Sequence, residues 1–459
     1  MQFSSFEEID SGIEPLNVFE KLRSKNSVIL HSGLKNSEIG KFSFIGIEPF
    51  AIFKSKGKKI SFNGRKFSGN PFSELEKILK KFSSKKPNSH FPDFPLSSGG
   101  AIGFFSYDSV HFLEKIPRKA KDDLKIPQAC FLFFDKITAF DHKRKKNFIF
   151  AIGKSKKDCE NKILGLKNKI FAKTMDSAAK KHSFVGKLNS TFSKKEYISA
   201  INKVKDYIVA GDTFQVNLSQ RFSAKTNIDP FDAFKLVCKI NPSPFMAYFE
   251  DENFAIASNS PERLVCNDGK IAQTRPIAGT VPRGKNGKED SLFEIELLSS
   301  EKEKAEHTML VDLERNDLGK VCDYGSVRVS KEMFVEKYSH VMHIVSNVVG
   351  KLHKSKTNIE LVKAMFPGGT ITGCPKIRTM EIIDELEPVA RGPYTGSLGY
   401  FDFSGKADFN ILIRTFVFAR KKVFINVGGG IVFDSIPEKE YLETIAKGKV
   451  LFGALRELK

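Results

Sequence analysis

Glu262, Glu306, Glu440 and Glu443 stand where the surrounding pattern gives a carboxylate chemistry to do. Glu306 precedes Met309, Leu310 and Leu313 by three, four and seven residues in AEHTMLVDLERNDLGKVC, residues 305–322, so it extends an apolar helical stripe toward its start. Burying a carboxylate there is costly without a partner. On this segment alone, a solvated stripe edge and a metal or catalytic role weigh equally. Glu440, Glu443 and Lys447 recur at i, i+3 and i+7 and share one helix face above Val450 and Ala454. That face is either an ordinary ion-pair surface or a pair of carboxylates facing Glu306 across a site. The second arrangement would hold a hard cation such as Mg2+, with Lys447 beside it for an anionic substrate. Glu262 ends the turn SNSPE, where a structural role is commoner than a general acid.

Other residues supply binding groups rather than proton donors. Arg414 stands in the apolar run ILIRTFVF and needs a carboxylate or phosphate to satisfy it. Gly428, Gly429 and Gly430 mark a backbone that comes close to something. Thr213, Gln215, Asn217 and Ser219 form the polar face of an alternating strand over residues 213–222, whose apolar face carries Phe214, Val216 and Leu218. Neutral amides and hydroxyls suit a pocket for an oxygen-rich small molecule, although such a face is most often the solvated side of a sheet.

The elements that must position these groups follow from periodicity and punctuation. Tyr197, Ile198, Ile201, Val204 and Ile208 predict a helix over residues 195–210, stopped at Gly211, and Gly319 stops the helix carrying Glu306. Short strands are expected at 254–257, 263–266, 270–274, 326–329, 409–418 and 423–427, with a last helix over 437–455. Two prolines and two glycines in RPIAGTVPRG, residues 275–284, predict an irregular backbone offering amides to an anion. A helix or a strand is expected at 338–349, carrying His340 and His343. The glycine-rich FPGGTITGCPK lacks the P-loop spacing, so ATP is not implied.

Residues 1–150 read as short strands, at 27–31, 42–47, 51–54, 59–62, 99–106, 129–135 and 147–152, broken by Gly, Asn and Lys turns, which predicts an antiparallel sheet. A lysine-rich helix and then a connector, HSFVGKLNSTFS, are expected between 153 and 193. The division falls there, giving an N-terminal region 1–185 and a catalytic region 186–459.

Composition removes several function classes. The chain has 459 residues, 41% hydrophobic, with 43 Phe and no Trp, enough for a sizeable core. Its formal charge of +20 raises nucleic-acid binding, but the lysines are spread along the chain with clusters at 54–59, 143–146 and 167–181, and no reading motif accompanies them. No apolar run approaches the roughly 18 residues of a membrane span, and MQFSSFEEID is not a signal sequence, so neither membrane nor secretion is expected and a cytoplasmic location is. Six scattered cysteines without a CxxC pair predict free thiols.

Together, PIAGT, AEHTMLVDLERNDLGKV, HIVSN, FPGGTITGCPK, YTGSLGY, IRT, GGGIVFDS and EYLETIAK, in this order, resemble the chorismate-utilising enzymes, and within them component I of aminodeoxychorismate synthase and of anthranilate synthase. The resemblance implies an α+β fold, two large antiparallel β-sheets packed as a sandwich with flanking helices, and a magnesium-dependent site between them. Glu306 and Glu443 match its magnesium ligands, with Glu440 as a supporting partner, and the ion neutralises the chorismate ring carboxylate. Glu262 matches the general acid that protonates the departing C4 hydroxyl. Arg414, Lys447 and the amides of Gly428, Gly429 and Gly430 match groups that hold substrate carboxylates. Thr280 and His343 match positions lining the ring, and Ala278, Gly279 and Tyr394 fall in its substrate-binding motifs.

Within the family, relatives that add water carry a lysine base where this chain has Gln215; a neutral amide there favours ammonia. Many aminodeoxychorismate synthases carry a nucleophilic lysine where this chain has Ala278, and by that mark alone the chain resembles anthranilate synthases. Asn217, Ser397, the Phe409–Asn410 pair and Gly429 favour the aminodeoxychorismate subgroup, and LHSG at residues 30–33 departs from the LLES of tryptophan feedback. The reading is aminodeoxychorismate synthase component I, with anthranilate synthase component I as the alternative. Nothing in the chain resembles a glutamine amidotransferase, so a separate amidotransferase subunit is the expected partner, with free ammonium as a poorer source.

Overall fold

The computed structural model describes residues 3–34, 39–83, 91, 94–172, 184–338 and 341–458, so His340 lies outside the described residues. Among the described residues, strands from all parts of the chain assemble into two antiparallel sheets of twelve strands each. The first runs from Phe3–Ile9 through Phe42–Gly46, Ser27–His31, Phe245–Glu250, Phe254–Ser260, Thr415–Ala419 and Lys422–Ile431 to Gln215–Thr226 and Phe184–Ser190. The second runs from Ile277–Pro282 through Val341–Lys351, Ile271–Thr274, Arg263–Asn267, Ala407–Asn410, Ser397–Asp402 and Gly100–Phe105 to Arg65–Ser68. Residues on either side of position 185 contribute to both sheets.

The phenylalanines explain why the sheets stack. Gly100–Phe105 and Ala129–Phe134 are buried along their whole length, as strands covered on both faces must be. Phe104, Leu132 and Phe134 of the second sheet share one core with Ile137, Phe150, Phe249 and Ile256 of the first. The Phe104 and Phe249 rings meet edge to face at 5.3 Å and 85°, the arrangement the ring quadrupoles favour. Helices cover the outer faces; among the described residues none is long and apolar enough to cross a membrane. All six cysteines are free thiols.

Two of the places where the chain passes between sheets are adjacent. Phe254–Ser260 belongs to the first sheet and Arg263–Asn267 to the second, with only Pro261 and Glu262 between them. Ala407–Asn410 belongs to the second and Thr415–Ala419 to the first, with residues 411–414 between. The crossovers lie side by side: Ile411 N–H donates to Glu262 C=O at 3.0 Å, and Asn259 N–H donates to Arg414 C=O at 3.1 Å.

Local expectations shift accordingly. Residues 409–418 are two strands in different sheets, because Arg414, at φ 50°, lies in the crossover rather than in a strand. Residues 275–284 contain the strand Ile277–Pro282, whose register against Val341–Lys351 slips between Ala278 and Val281, where Gly279 takes φ 62°. The connector contains the strand Phe184–Ser190, and residues 258–260 of SNSPE continue a strand. Phe214 is 69% exposed, because it precedes the strand that buries Val216 and Leu218.

Candidate active site

Glu262 sits at the seam between the sheets, only 7% exposed. Burial pushes its carboxyl up to about 7, against the opposing effects of a Thr370 hydrogen bond and the Arg414 charge. Thr370 Oγ1 donates to Glu262 Oε1 at 2.7 Å. Arg414 reaches the same seam from the second crossover. Burial lowers its pKa while Tyr338 and Glu262 oppose that change, and it forms no ion pair with a described carboxylate. A protonatable acid therefore stands near a cation that lacks a full counter-charge, the combination needed to bind an anion and protonate it.

The helix Glu301–Gly319 starts at Ser300, whose hydroxyl accepts the Glu303 N–H. Its buried face carries His307, Leu310, Val311, Glu314, Asp317 and Leu318. Glu306, Met309 and Leu313 lie beside this face, half-buried, so the expected stripe is the edge of the packed surface rather than its centre. Burial first, and then the Glu303 charge, raise the Glu306 carboxyl above its ordinary value. Gln215 Nε2 donates to Glu306 Oε1 at 3.3 Å, while Gln215 Oε1 is buried without a partner.

The helix Pro437–Glu457 approaches from the other side. Ser435 Oγ donates to Glu440 at 2.7 Å, and Lys447 pairs with Glu443 at 2.8 Å. Beneath them lies the strand with Gly428, Gly429 and Gly430, opposite Ser219, Leu218 and Asn217. A Cβ at Gly429 would lie 3.7 Å from Glu440 Oε2, 3.9 Å from Lys447 Nζ and 4.0 Å from Glu443 Oε1. A Cβ at Gly430 would lie 2.3 Å from Gln215 Nε2, so only glycine leaves that amide in place. Gln215 thus links Glu306 to the strand over which Glu440 and Glu443 stand.

Among the described residues, no three His, Cys, Asp or Glu side chains form a ready metal cluster. The donor set is nonetheless all oxygen, which suits a hard divalent cation. Glu306 is raised by burial first and then by a neighbouring carboxylate, Glu443 pairs with the half-exposed Lys447, and Gln215 Oε1 has no partner. These residues fit a cation that would offset the Glu303 charge on Glu306 and take up the unpartnered Gln215 oxygen.

His343 is buried, and burial lowers its imidazole to about 4, so it is neutral near pH 7. Its Nδ1 lies 2.9 Å from Gly279 C=O and 3.0 Å from Thr280 Oγ1. The carbonyl can only accept, so Nδ1 carries the proton and Nε2 is left as an acceptor. Ala278 is buried opposite Ile344. Tyr394 is buried beneath the Arg391 guanidinium, 5.7 Å from its ring centre, and so contributes to a supporting frame.

Several residues here have no counterpart in the sequence reading. Glu303, one turn before Glu306, extends over Gly279: a Cβ there would lie 2.9 Å from Glu303 Oε2. Helical spacing from Glu306 would have found it. Glu314 is buried with its carboxyl pushed to about 8, by burial first and then by Asp317. Thr370 lies in a glycine-rich run whose pattern does not distinguish it. A cavity of about 1050 Å³, lined by His31, Phe44, Phe245, Arg263, Tyr400 and Asp408 among others, lies elsewhere between the sheets and includes none of the site carboxylates.

Known proteins match this arrangement over nearly its whole length. The family described as chorismate binding enzyme matches residues 25–453. Aminodeoxychorismate synthase component 1 of Bacillus subtilis is 42% identical over 452 residues, covering 96% of this chain and 94% of the relative. Anthranilate synthase component 1 of Acetivibrio thermocellus is 39% identical over 464 residues, covering 96% and 93%. The crystal structure of anthranilate synthase component I from Streptococcus pneumoniae superposes with a TM-score of 0.81 at 32% identity, covering 97% of this chain and 99% of that one. The isochorismate synthase MenF of Escherichia coli shares the fold, with a TM-score of 0.75 at 16% identity over 99% of this chain and 95% of that one. On its sequence and on its two-sheet architecture alike, the chain belongs to the chorismate binding enzymes.

Proposed function

We propose that the protein is an aminodeoxychorismate synthase component I: it replaces the C4 hydroxyl of chorismate with an amino group, using ammonia from a separate glutamine amidotransferase subunit in the cytoplasm. The observation that carries the chemistry is Glu262, buried, near Arg414 and held at about 7, so that a large fraction is protonated at neutral pH. Glu262 gives its proton to the departing hydroxyl as the C–O bond breaks and water leaves. Ammonia supplies the electron pair of the new C–N bond, and its surplus proton restores the acid, so one ammonia enters for each water lost.

Glu306 and Glu443 would hold Mg2+, with Glu440 and Glu303 around it. The ion would supply charge neutralisation for the ring carboxylate. Arg414, Lys447 and the backbone amides of Gly428, Gly429 and Gly430 bind carboxylates; His343 and Thr280 line the ring. Gln215 is a neutral amide with no capacity to deprotonate water, which favours ammonia as the nucleophile. Ala278 offers no amine for a covalent adduct, so ammonia reaches the ring directly.

One observation favours a second reading, anthranilate synthase component I: alanine at position 278 is the anthranilate mark. Incubation with chorismate, Mg2+ and ammonium, with aminodeoxychorismate lyase added to one half, separates the two. 4-Aminobenzoate appearing only with the lyase supports the proposal; fluorescent anthranilate without the lyase replaces it with the second reading.

A further inference from the structure

We propose that Thr370 is a positioning residue for the proton-donating carboxyl of Glu262, and that the buried Arg391–Glu387 pair holds it in place. The inference rests on Glu262 acting as the general acid.

The first observation is the geometry at the acid. Thr370 has one hydroxyl proton, and it is directed at Glu262 Oε1 at 2.7 Å. While Oε1 accepts that bond, the acid proton belongs on Oε2. Thr370 therefore fixes which oxygen delivers the proton. As the proton leaves, the same contact becomes a hydrogen bond to a carboxylate, which is stronger. The gain arises during proton transfer and not before it, so it favours the transition state over the bound substrate.

The second observation is how firmly residues 369–372 are held. Asn217 N–H donates to Thr372 C=O at 2.7 Å, and Asn217 Nδ2 donates to Thr370 C=O at 3.2 Å. Arg391 completes the frame. Its Nε and Nη2 bind Glu387 at 2.9 and 2.7 Å, Nη1 reaches Ile371 C=O at 3.0 Å and Thr395 Oγ1 at 3.2 Å, and Nη2 reaches Asn217 C=O at 2.6 Å. All the N–H directions of the guanidinium are thereby used. Glu387 also accepts the Ser219 N–H at 2.8 Å, so the pair grips the strand Gln215–Thr226 from two sides. Tyr107 and Tyr394 lie against the guanidinium at 4.8 and 5.7 Å. A buried ion pair is weak evidence for stability by itself. This one joins the turn bearing Thr370 to the strand bearing Gln215, and so fixes the acid relative to the glutamine that touches Glu306.

The test uses the full chain with chorismate, Mg2+ and ammonium, following initial rates against pH. Glu262→Gln is the control on the underlying reading: loss of turnover supports it, and wild-type turnover removes both the reading and this inference. Thr370→Val should lower kcat by about tenfold, leave KM for chorismate nearly unchanged, and move the alkaline limb of kcat upward by roughly one pH unit. The direction follows from the sign: the hydroxyl stabilises the carboxylate, so without it the acid keeps its proton to higher pH. Thr370→Ser should restore both rate and limb. Arg391→Lys should shift the limb in the same direction and add little to Thr370→Val, because both act through one contact. Thr370 is half-buried, so Thr370→Val carries the test even where Arg391→Lys does not fold. If Glu262→Gln is inactive while Thr370→Val keeps wild-type kcat and limb, the positioning role is wrong and the general acid stands.

Discussion

The two ends of the site are built in opposite ways. At the acid end, Glu262 is buried, bonded to Thr370 and framed by Arg391, which is 2% exposed. At the other end, Glu443 and Lys447 are 51% and 49% exposed, and half-buried Glu306 has its pKa raised by burial first and then by the Glu303 charge. A general acid must be desolvated and aimed before substrate arrives, because burial is what brings a carboxyl near neutral pH. On the proposed reading, a cation site must admit its ion, which the half-exposed Glu443 and Lys447 allow. The contrast suggests that one end is finished by folding and the other by ligand.

That contrast can be broken by substitution. The largest effect is expected at the open end: Glu306→Ala and Glu443→Ala should each abolish the melting-temperature rise given by Mg2+ plus chorismate. In the wild type that rise corresponds to about 2.7 kcal/mol at a hundredfold excess over Kd. Retention of the full rise in both variants would remove the assigned cation site. Next, Gly430→Ala should cut kcat/KM by roughly tenfold or more, since its methyl meets the Gln215 amide at 2.3 Å. Gly429→Ala should do less, as its nearest contacts are ordinary ones at 3.7–4.0 Å. Kinetics at saturating ammonium rank the two.

A smaller effect sharpens the closed end. Glu314 has a folded pKa of about 8, above its ordinary value of 4.5, so the folded state binds the extra proton between those values. Stability held at low pH is therefore lost as pH rises from about 4.5 to about 8. Glu314→Gln removes that loss, and its melting temperature relative to wild type should be higher at pH 8.5 than at pH 5. An equal difference at both pH values would show that Glu314 does not titrate in this window.

Much of the site was legible because helices align residues by fixed spacing: Glu306 beside its stripe, and Glu440, Glu443 and Lys447 on one face. The glycines were legible as close approach, which Gly430 against Gln215 bears out. The crossovers were not legible. ILIRTFVF is apolar apart from Arg414 and Thr415, and a run buried on both sides gives no sign of where it leaves one sheet for the other. Arg414 was noticed for its charge, whereas its position depends on that break. Thr370 and the Arg391 frame were missed for a related reason: a hydroxyl or an i, i+4 ion pair acquires its role only from strands and turns distant in sequence. The family resemblance supplied the two-sheet fold, which short strands alone predicted only as an antiparallel sheet.

The most direct test separates binding from chemistry in one variant. Glu262→Gln should keep the melting-temperature rise with Mg2+ and chorismate, because the open end is intact, and form no aminated product with ammonium, because the proton donor is gone. Product formation at the wild-type rate by Glu262→Gln would contradict the account.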